Sequence, residues 1–265
     1  MANKIDAKLE ELRAAGRKGL MTHVVVGYPS LEETISLATT MAHEGADFIE
    51  LQIPFSDPLA DGPTIQAACR MSLAGGTRVR DAFSVAALLA GSVDVPLLFM
   101  AYCNTVYKYG VERFCKDARS AGICGLIVPD IPLEAARHEG FLEACKANNL
   151  HHIVTLAPSS TQERLIKNAA VATGFVYCMS REGVTGIQGD TGRDLRSYLE
   201  SVAGAIPVPL VVGFGISNRE RLKAVQPYCD IAVVGSALIE EIANAPAGTA
   251  PARVAGFLRT LLLEA

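Results

Sequence analysis

The feature that most limits the fold of this chain is a recurrence: eight short aliphatic runs alternate with stretches of helical periodicity. The runs are Met21–Gly27, Phe48–Ile53, Pro96–Ala101, Gly125–Pro129, His151–Ala157, Gly174–Ser180, Pro209–Gly215 and Ile231–Ser236. They are rich in Val and Ile and lack clean apolar/polar alternation, as strands of a parallel sheet covered on its outer face do. Between them, Leu31–Glu44, Val79–Ala90, Val111–Ala121, Glu134–Asn149, Thr161–Ala172, Leu195–Ala203 and Arg219–Val225 carry apolar residues at helical spacing, several behind a capping residue such as Ser30 or Ser217. Strand then helix, eight times in 265 residues, predicts a single α/β domain over 1–265, a (β/α)8 TIM barrel rather than an open doubly wound sheet. The charged, helix-periodic N-terminus adds a helix before the first strand. Ala243–Ala252 is the nearest thing to a linker, and it interrupts or precedes the last helix.

Composition narrows the function classes. Half of the residues are hydrophobic and 20% are charged, a globular balance. Lys plus Arg number 24 against 28 Asp plus Glu, a net charge of −4 with no block of like charges, so a nucleic-acid partner is not expected. The longest run without charged or strongly polar side chains, Ile206–Ile216, is short of the roughly 20 residues of a membrane span. With no apolar leader at the N-terminus, a cytoplasmic location is expected. Seven cysteines without Cys-x-x-Cys spacing read as reduced, mostly buried thiols, and no metal site is expected.

In a TIM barrel, chemistry sits in the loops after the strands' C-terminal ends. In the second strand Ile49, Leu51 and Ile53 alternate with Phe48, Glu50 and Gln52, so the aliphatic set faces the helices and Glu50 points into the barrel. A carboxylate there is either half of a structural ion pair or a proton-transfer group with a pKa raised by desolvation. Asp61 lies in the long excursion Pro54–Gly76 and, before Gly62, is either a turn residue or a second carboxylate facing the same cavity. Gly213, Gly215, Gly235 and Ser236 end the seventh and eighth strands, where glycine turns the chain or backbone N–H groups cradle a phosphate. The glycine-rich stretch Ser180–Gly189 suits a mobile lid. Tyr102 and Tyr177 are either core or the wall of an aromatic-compatible pocket, whereas His151, His152 and the lone His23 read as structural.

The segment Glu50-Leu51-Gln52-Ile53-Pro54-Phe55-Ser56-Asp57-Pro58-Leu59-Ala60-Asp61-Gly62-Pro63-Thr64-Ile65-Gln66 closely resembles the α-subunit family of tryptophan synthase. Met100–Asn104, Val128–Pro132, Ser180–Gly186, Gly213–Ser217 and Gly235–Ala237 follow in family order, so the resemblance spans nearly the whole chain. It implies a (β/α)8 barrel that cleaves indole-3-glycerol phosphate to indole and glyceraldehyde 3-phosphate. It implies no cofactor in this chain, with pyridoxal phosphate only in a β-subunit partner. An α2β2 complex is implied through loops Ser56–Ala60 and Arg181–Thr191. By the same resemblance Glu50 is the general acid/base, and Asp61 the carboxylate that accepts from the indole N–H. Gly186, Gly213, Gly235 and Ser236 hold the phosphate. Tyr102, Tyr177, Met100, Ile127, Ile153 and Phe214 border the indole, and Thr185 in the lid touches Asp61.

The chain departs from the family pattern at several positions. Gln52 replaces a usual Gly, Thr22-His23 stands where Pro-Phe is common beside the indole pocket, Val25 replaces Thr, Tyr28 replaces Asp, and Phe175 replaces Tyr. Both carboxylates and the phosphate-loop glycines remain. Two other readings compete with the lyase: a sugar-phosphate isomerase or epimerase of the same fold, and a non-enzymatic subunit that activates a β partner.

Overall fold

The computed structural model describes residues 2–179, 195–213 and 215–263. Helix α1 (Lys4–Ala14) precedes β1 (Gly19–Val25), α2 (Leu31–His43), β2 (Phe48–Gln52), α3 (Pro63–Ala74), α4 (Val79–Ala90) and β3 (Leu97–Met100). Then come α5 (Cys103–Tyr109), α6 (Val111–Ser120), β4 (Ile123–Ile127), α7 (Leu133–His138), α8 (Phe141–Ala147), β5 (His151–Leu156), α9 (Gln162–Ala169) and β6 (Val176–Met179). The chain continues through α10 (Leu195–Ala205), β7 (Leu210–Gly213), α11 (Arg219–Val225), β8 (Ile231–Val234), α12 (Ser236–Ala243) and α13 (Ala250–Leu262). The eight strands are parallel and form a barrel in sequence order, closed by β8 pairing with β1. The expected TIM barrel with an N-terminal helix is therefore the observed fold.

Strand pleating separates two apolar layers. Ile49, Leu51 and Ile53 pack outward against the helices, as alternation predicts, while Phe48 joins Met21, Leu98, Ile153, Val211 and Ile231 inside the barrel. Helix α1 floors that interior, contributing the buried Ile5 and Leu12. Asn3 fixes its entry: the side-chain oxygen caps Ile5 N–H, and Nδ2 donates to the carbonyls of Cys124 (2.8 Å) and Asn149 (2.9 Å). The floor fits because two strand positions lack a Cβ. A methyl on Gly19 would sit 2.9 Å from Leu12 Cδ1, and one on Gly125 2.9 Å from Ile5 Cδ1. His151 and His152 start β5 at this lower end; His151 lies 3.0 Å from Asp6 of α1, and His152 meets the Phe141 ring edge-on. The seven cysteines are free, and six are buried.

Several boundaries differ from the sequence expectation for local reasons. The single helix expected over Glu134–Asn149 is broken into α7 and α8 at Gly140, whose φ of +69° is left-handed. Gly110, φ +96°, likewise separates α6 from the unanticipated α5. Helix α3 starts at Pro63 within the Pro54–Gly76 excursion, because proline at the first helical position lacks only an N–H that has no helical partner there. Strand β4 begins at Ile123 rather than Gly125, and β8 yields at Gly235 to α12. The linker-like Ala243–Ala252 falls at the junction of α12 and α13. Among the described residues, no helix is long and apolar enough to cross a membrane.

Truncating the fully buried Ile5 to Ala removes the centre of the floor and leaves a cavity under the barrel. Urea unfolding of Ile5→Ala is expected to show a loss of about 2–5 kcal/mol. Unchanged stability would mean that α1 contributes nothing to the core.

Candidate functional site

Strand register and pleat place the polar side chains. Met21, paired to Phe48, points inward, so His23 two residues on also points inward, and the register sets it opposite Glu50. His23 Nδ1 lies 3.0 Å from Glu50 Oε1, with both side chains only 4% exposed. Glu50 Oε2 and His23 Nε2 are buried without a hydrogen-bond partner. Gln52, next inward on β2, donates from Nε2 to Asp61 Oδ2 at 2.6 Å. The Tyr102 hydroxyl donates to the same oxygen at 2.9 Å and accepts from Ala60 N–H. Both donors therefore act on Oδ2 of Asp61.

Of these groups His23, Glu50 and Asp61 line a cavity of about 330 Å³ at the C-terminal mouth of the barrel. One wall is apolar, from Ile65, Met100, Ile127, Met179 and Val233, with the Tyr177 ring beside them. Backbone and small residues complete the lining: Gly213 and Gly215 after β7, Gly235 and Ser236 at the start of α12, with Arg221 donating to the Gly215 carbonyl at 3.0 Å. The absence of a Cβ at Gly213 is required here, because one would lie 2.8 Å from the Tyr177 hydroxyl. A chamber with this shape suits a flat apolar group between the walls and an anion at the glycine end.

The electrostatics follow from burial. Burial raises the Asp61 carboxyl above the ordinary range, against the lowering influence of His23 and of the Gln52 and Tyr102 hydrogen bonds, and Glu50 adds to the rise. For His23, burial is the largest single influence and disfavours the imidazolium, but Glu50, Asp61 and Gln52 together outweigh it, so its pKa is raised. Burial first, then Glu50 and Asp61, push the Tyr177 hydroxyl well above the usual phenol value. Among the described residues, no group of three or more His, Cys, Asp and Glu is arranged to hold a metal.

Of the residues singled out in the sequence, Glu50, Asp61, Met100, Ile127, Tyr177, Gly213, Gly235 and Ser236 line the cavity. Tyr102 reaches it through Asp61 and stacks on Phe55 at 5.1 Å. Ile153, paired with Ile127 across β4 and β5, is fully buried in the barrel interior and does not line it. Thr185, Gly186 and Phe214 lie outside the described residues, as does the Arg181–Thr191 loop. Sequence reasoning missed Gln52 and Arg221, and it read His23 as core. The signal for His23 was available, because inward alternation and parallel pairing put it level with Glu50.

Comparison with known proteins gives the family. The family model for the tryptophan synthase alpha chain matches residues 9–256. A tryptophan synthase alpha chain from Roseiflexus sp. is 43% identical over 251 residues, covering 94% of this chain and 95% of its own. One from Clostridium kluyveri is 38% identical over 240 residues, covering 91% and 90%. Tryptophan synthase subunit alpha from Legionella pneumophila superposes with a TM-score of 0.88 at 30% identity, over 98% of this chain and 97% of that one. Because the matches run through every strand that carries the site, the chain belongs to the tryptophan synthase alpha chain family, carbon–carbon lyases that cleave indole-3-glycerol phosphate in tryptophan biosynthesis.

Proposed function

We propose that Glu50 and Asp61 divide the proton and charge tasks of this cleavage. The observation that carries the reading is that two buried carboxylates share one cavity, each differently held. Cleavage needs a proton at C3 of the indole ring, a cation tolerated on the ring nitrogen, and removal of a proton from the adjacent side-chain hydroxyl. Glu50 supplies the first proton. Asp61, with Oδ2 fixed by Gln52 and Tyr102, accepts from the indole N–H through Oδ1 and stabilises the positive charge of the C3-protonated ring. Glu50, now a carboxylate, takes the hydroxyl proton. The C–C bond then breaks, its electron pair neutralising the ring as indole, and the hydroxyl carbon becomes the aldehyde of glyceraldehyde 3-phosphate.

Gly213 at the end of β7, with Gly235 and Ser236 at the start of α12, binds the phosphate with backbone N–H groups, and the Met100, Ile127 and Tyr177 wall holds the ring. By family resemblance Gly186 adds to the phosphate site, Phe214 and Ile153 to the indole surroundings, and Thr185 to the closure over Asp61. The family needs no cofactor in this chain; pyridoxal phosphate belongs to the beta chain. A beta subunit is the proposed partner, in an α2β2 complex docked on Ser56–Ala60 and Arg181–Thr191. In the first of these loops Leu59 is 90% exposed, an apolar side chain that a partner surface would cover.

Purified Glu50→Gln is expected to release indole from indole-3-glycerol phosphate about 10²–10⁴-fold more slowly than wild type, with the circular dichroism spectrum unchanged. Asp61→Asn is expected to lose a similar factor through the charge it no longer stabilises. Wild-type turnover by either variant would refute these roles.

Addition of the beta chain is expected to raise the rate of indole release, and Leu59→Ser to weaken binding of that chain as followed by calorimetry. Equal rates with and without it would remove the coupling and leave the lyase assignment intact.

A further inference from the structure

The His23–Glu50 contact has more in it than core packing. A buried structural ion pair is favourable only when its remaining polar atoms are also satisfied. Here neither is: His23 Nε2 and Glu50 Oε2 have no hydrogen-bond partner, and both residues line the cavity. Nδ1 faces Oε1 at 3.0 Å, which leaves Oε2 as the carboxylate oxygen that no protein group claims.

We propose that His23 is a positioning residue for Glu50, and that the two side chains hold as one unit the proton exchanged with substrate. The proposal rests on the lyase reading above. His23 fixes the carboxyl plane through Oε1 and aims Oε2 at the reacting atoms. When C3 takes its proton, the carboxylate left behind gains a donor already in place on Nδ1. The proton leaving the hydroxyl returns to the same unit as the C–C bond breaks, so neither residue changes its protonation over a turnover and no further reactant is consumed.

The groups around His23 are few. Glu50 and Gln52 act on it from β2 and Asp61 from the loop beyond, Gly235 at the end of β8 lies beside it, and Tyr177 of β6 and Ile65 of α3 line the same cavity. Tyr102 acts at one remove, through its hydrogen bond to Asp61. Arg221 also lines the cavity, with its guanidinium on the Gly215 carbonyl. The anionic neighbours outweigh burial, so the imidazole keeps its proton to a pH above that of a free histidine side chain. Below that pH the unit carries one exchangeable proton. Above it the imidazole has lost that proton, the pair has none to give C3, and turnover falls.

Two measurements decide the matter. The first is an NMR titration of ¹⁵N-labelled histidine in the intact chain, with the His23 signal assigned from its loss in His23→Gln. The His23 midpoint is expected above that of an ordinary histidine in wild type, and below it in Glu50→Gln, where burial acts without the carboxylate. The same midpoint in both proteins overturns the pairing. The second is the pH dependence of indole release by the chain with its beta subunit, for wild type, His23→Asn and His23→Phe. Both variants are expected to lower kcat about tenfold or more with KM within about threefold, and to remove the alkaline limb that the imidazole sets. Unchanged kcat, or a parallel change in KM with the wild-type pH profile, overturns the positioning role. Failure of wild type itself to release indole would refute the underlying lyase reading, while the NMR titration still decides whether the two side chains form a unit.

Discussion

Two carboxylates buried in one cavity are the arrangement on which the rest of the site depends. Carboxylates taken out of water are costly unless donors replace the lost hydration, and two near each other also repel. The barrel meets both demands with different partners. Glu50 has an imidazole at 3.0 Å, and Asp61 has an amide and a phenol on a single oxygen. Because the partners differ, the two carboxylates present themselves differently to the cavity: Glu50 leaves Oε2 unclaimed, while Asp61 has Oδ2 taken by Gln52 and Tyr102.

The scaffold makes this affordable by being rigid below the site. The α1 floor, the Cβ-free approaches at Gly19 and Gly125, and the interdigitated inner layer fix the heights of neighbouring strands. Strand height then fixes chemistry: one register, His23 beside Glu50, decides which side chain meets the carboxylate. A slip of one residue would swing His23 out of the barrel and set Thr22 or Val24 opposite Glu50 instead.

Much of the fold was legible because its signals are local. Aliphatic runs, capping residues and helical periodicity all lie within a few residues of one another, and they gave the strand order and the orientation of Ile49, Leu51 and Ile53. Glu50, Asp61 and the glycines were legible from their places at strand ends and from the family motif. The break at Gly140 was not, since an isolated glycine is compatible with either a continuous or a kinked helix until its φ is known, and the short α5 before Gly110 was not anticipated. The partners of the carboxylates were the least legible. Gln52 and His23 were noted as departures from the family pattern, but a hydrogen bond from Gln52 to Asp61 depends on how the Pro54–Gly62 loop folds back over β2, which no local rule supplies. Ile153, placed by analogy at the indole, is level with the cavity-lining Ile127 on β4 but is itself fully buried in the barrel interior.

The central claim is that a proton passes between the Glu50 side chain and C3 of the indole ring. Exchange of the indole C3 hydrogen for deuterium in D2O, followed by proton NMR with the chain present and no glyceraldehyde 3-phosphate, isolates that step from C–C cleavage. Wild type is expected to exchange the C3 hydrogen faster than the solvent background and Glu50→Gln to fall to that background; equal exchange by the two proteins would contradict it.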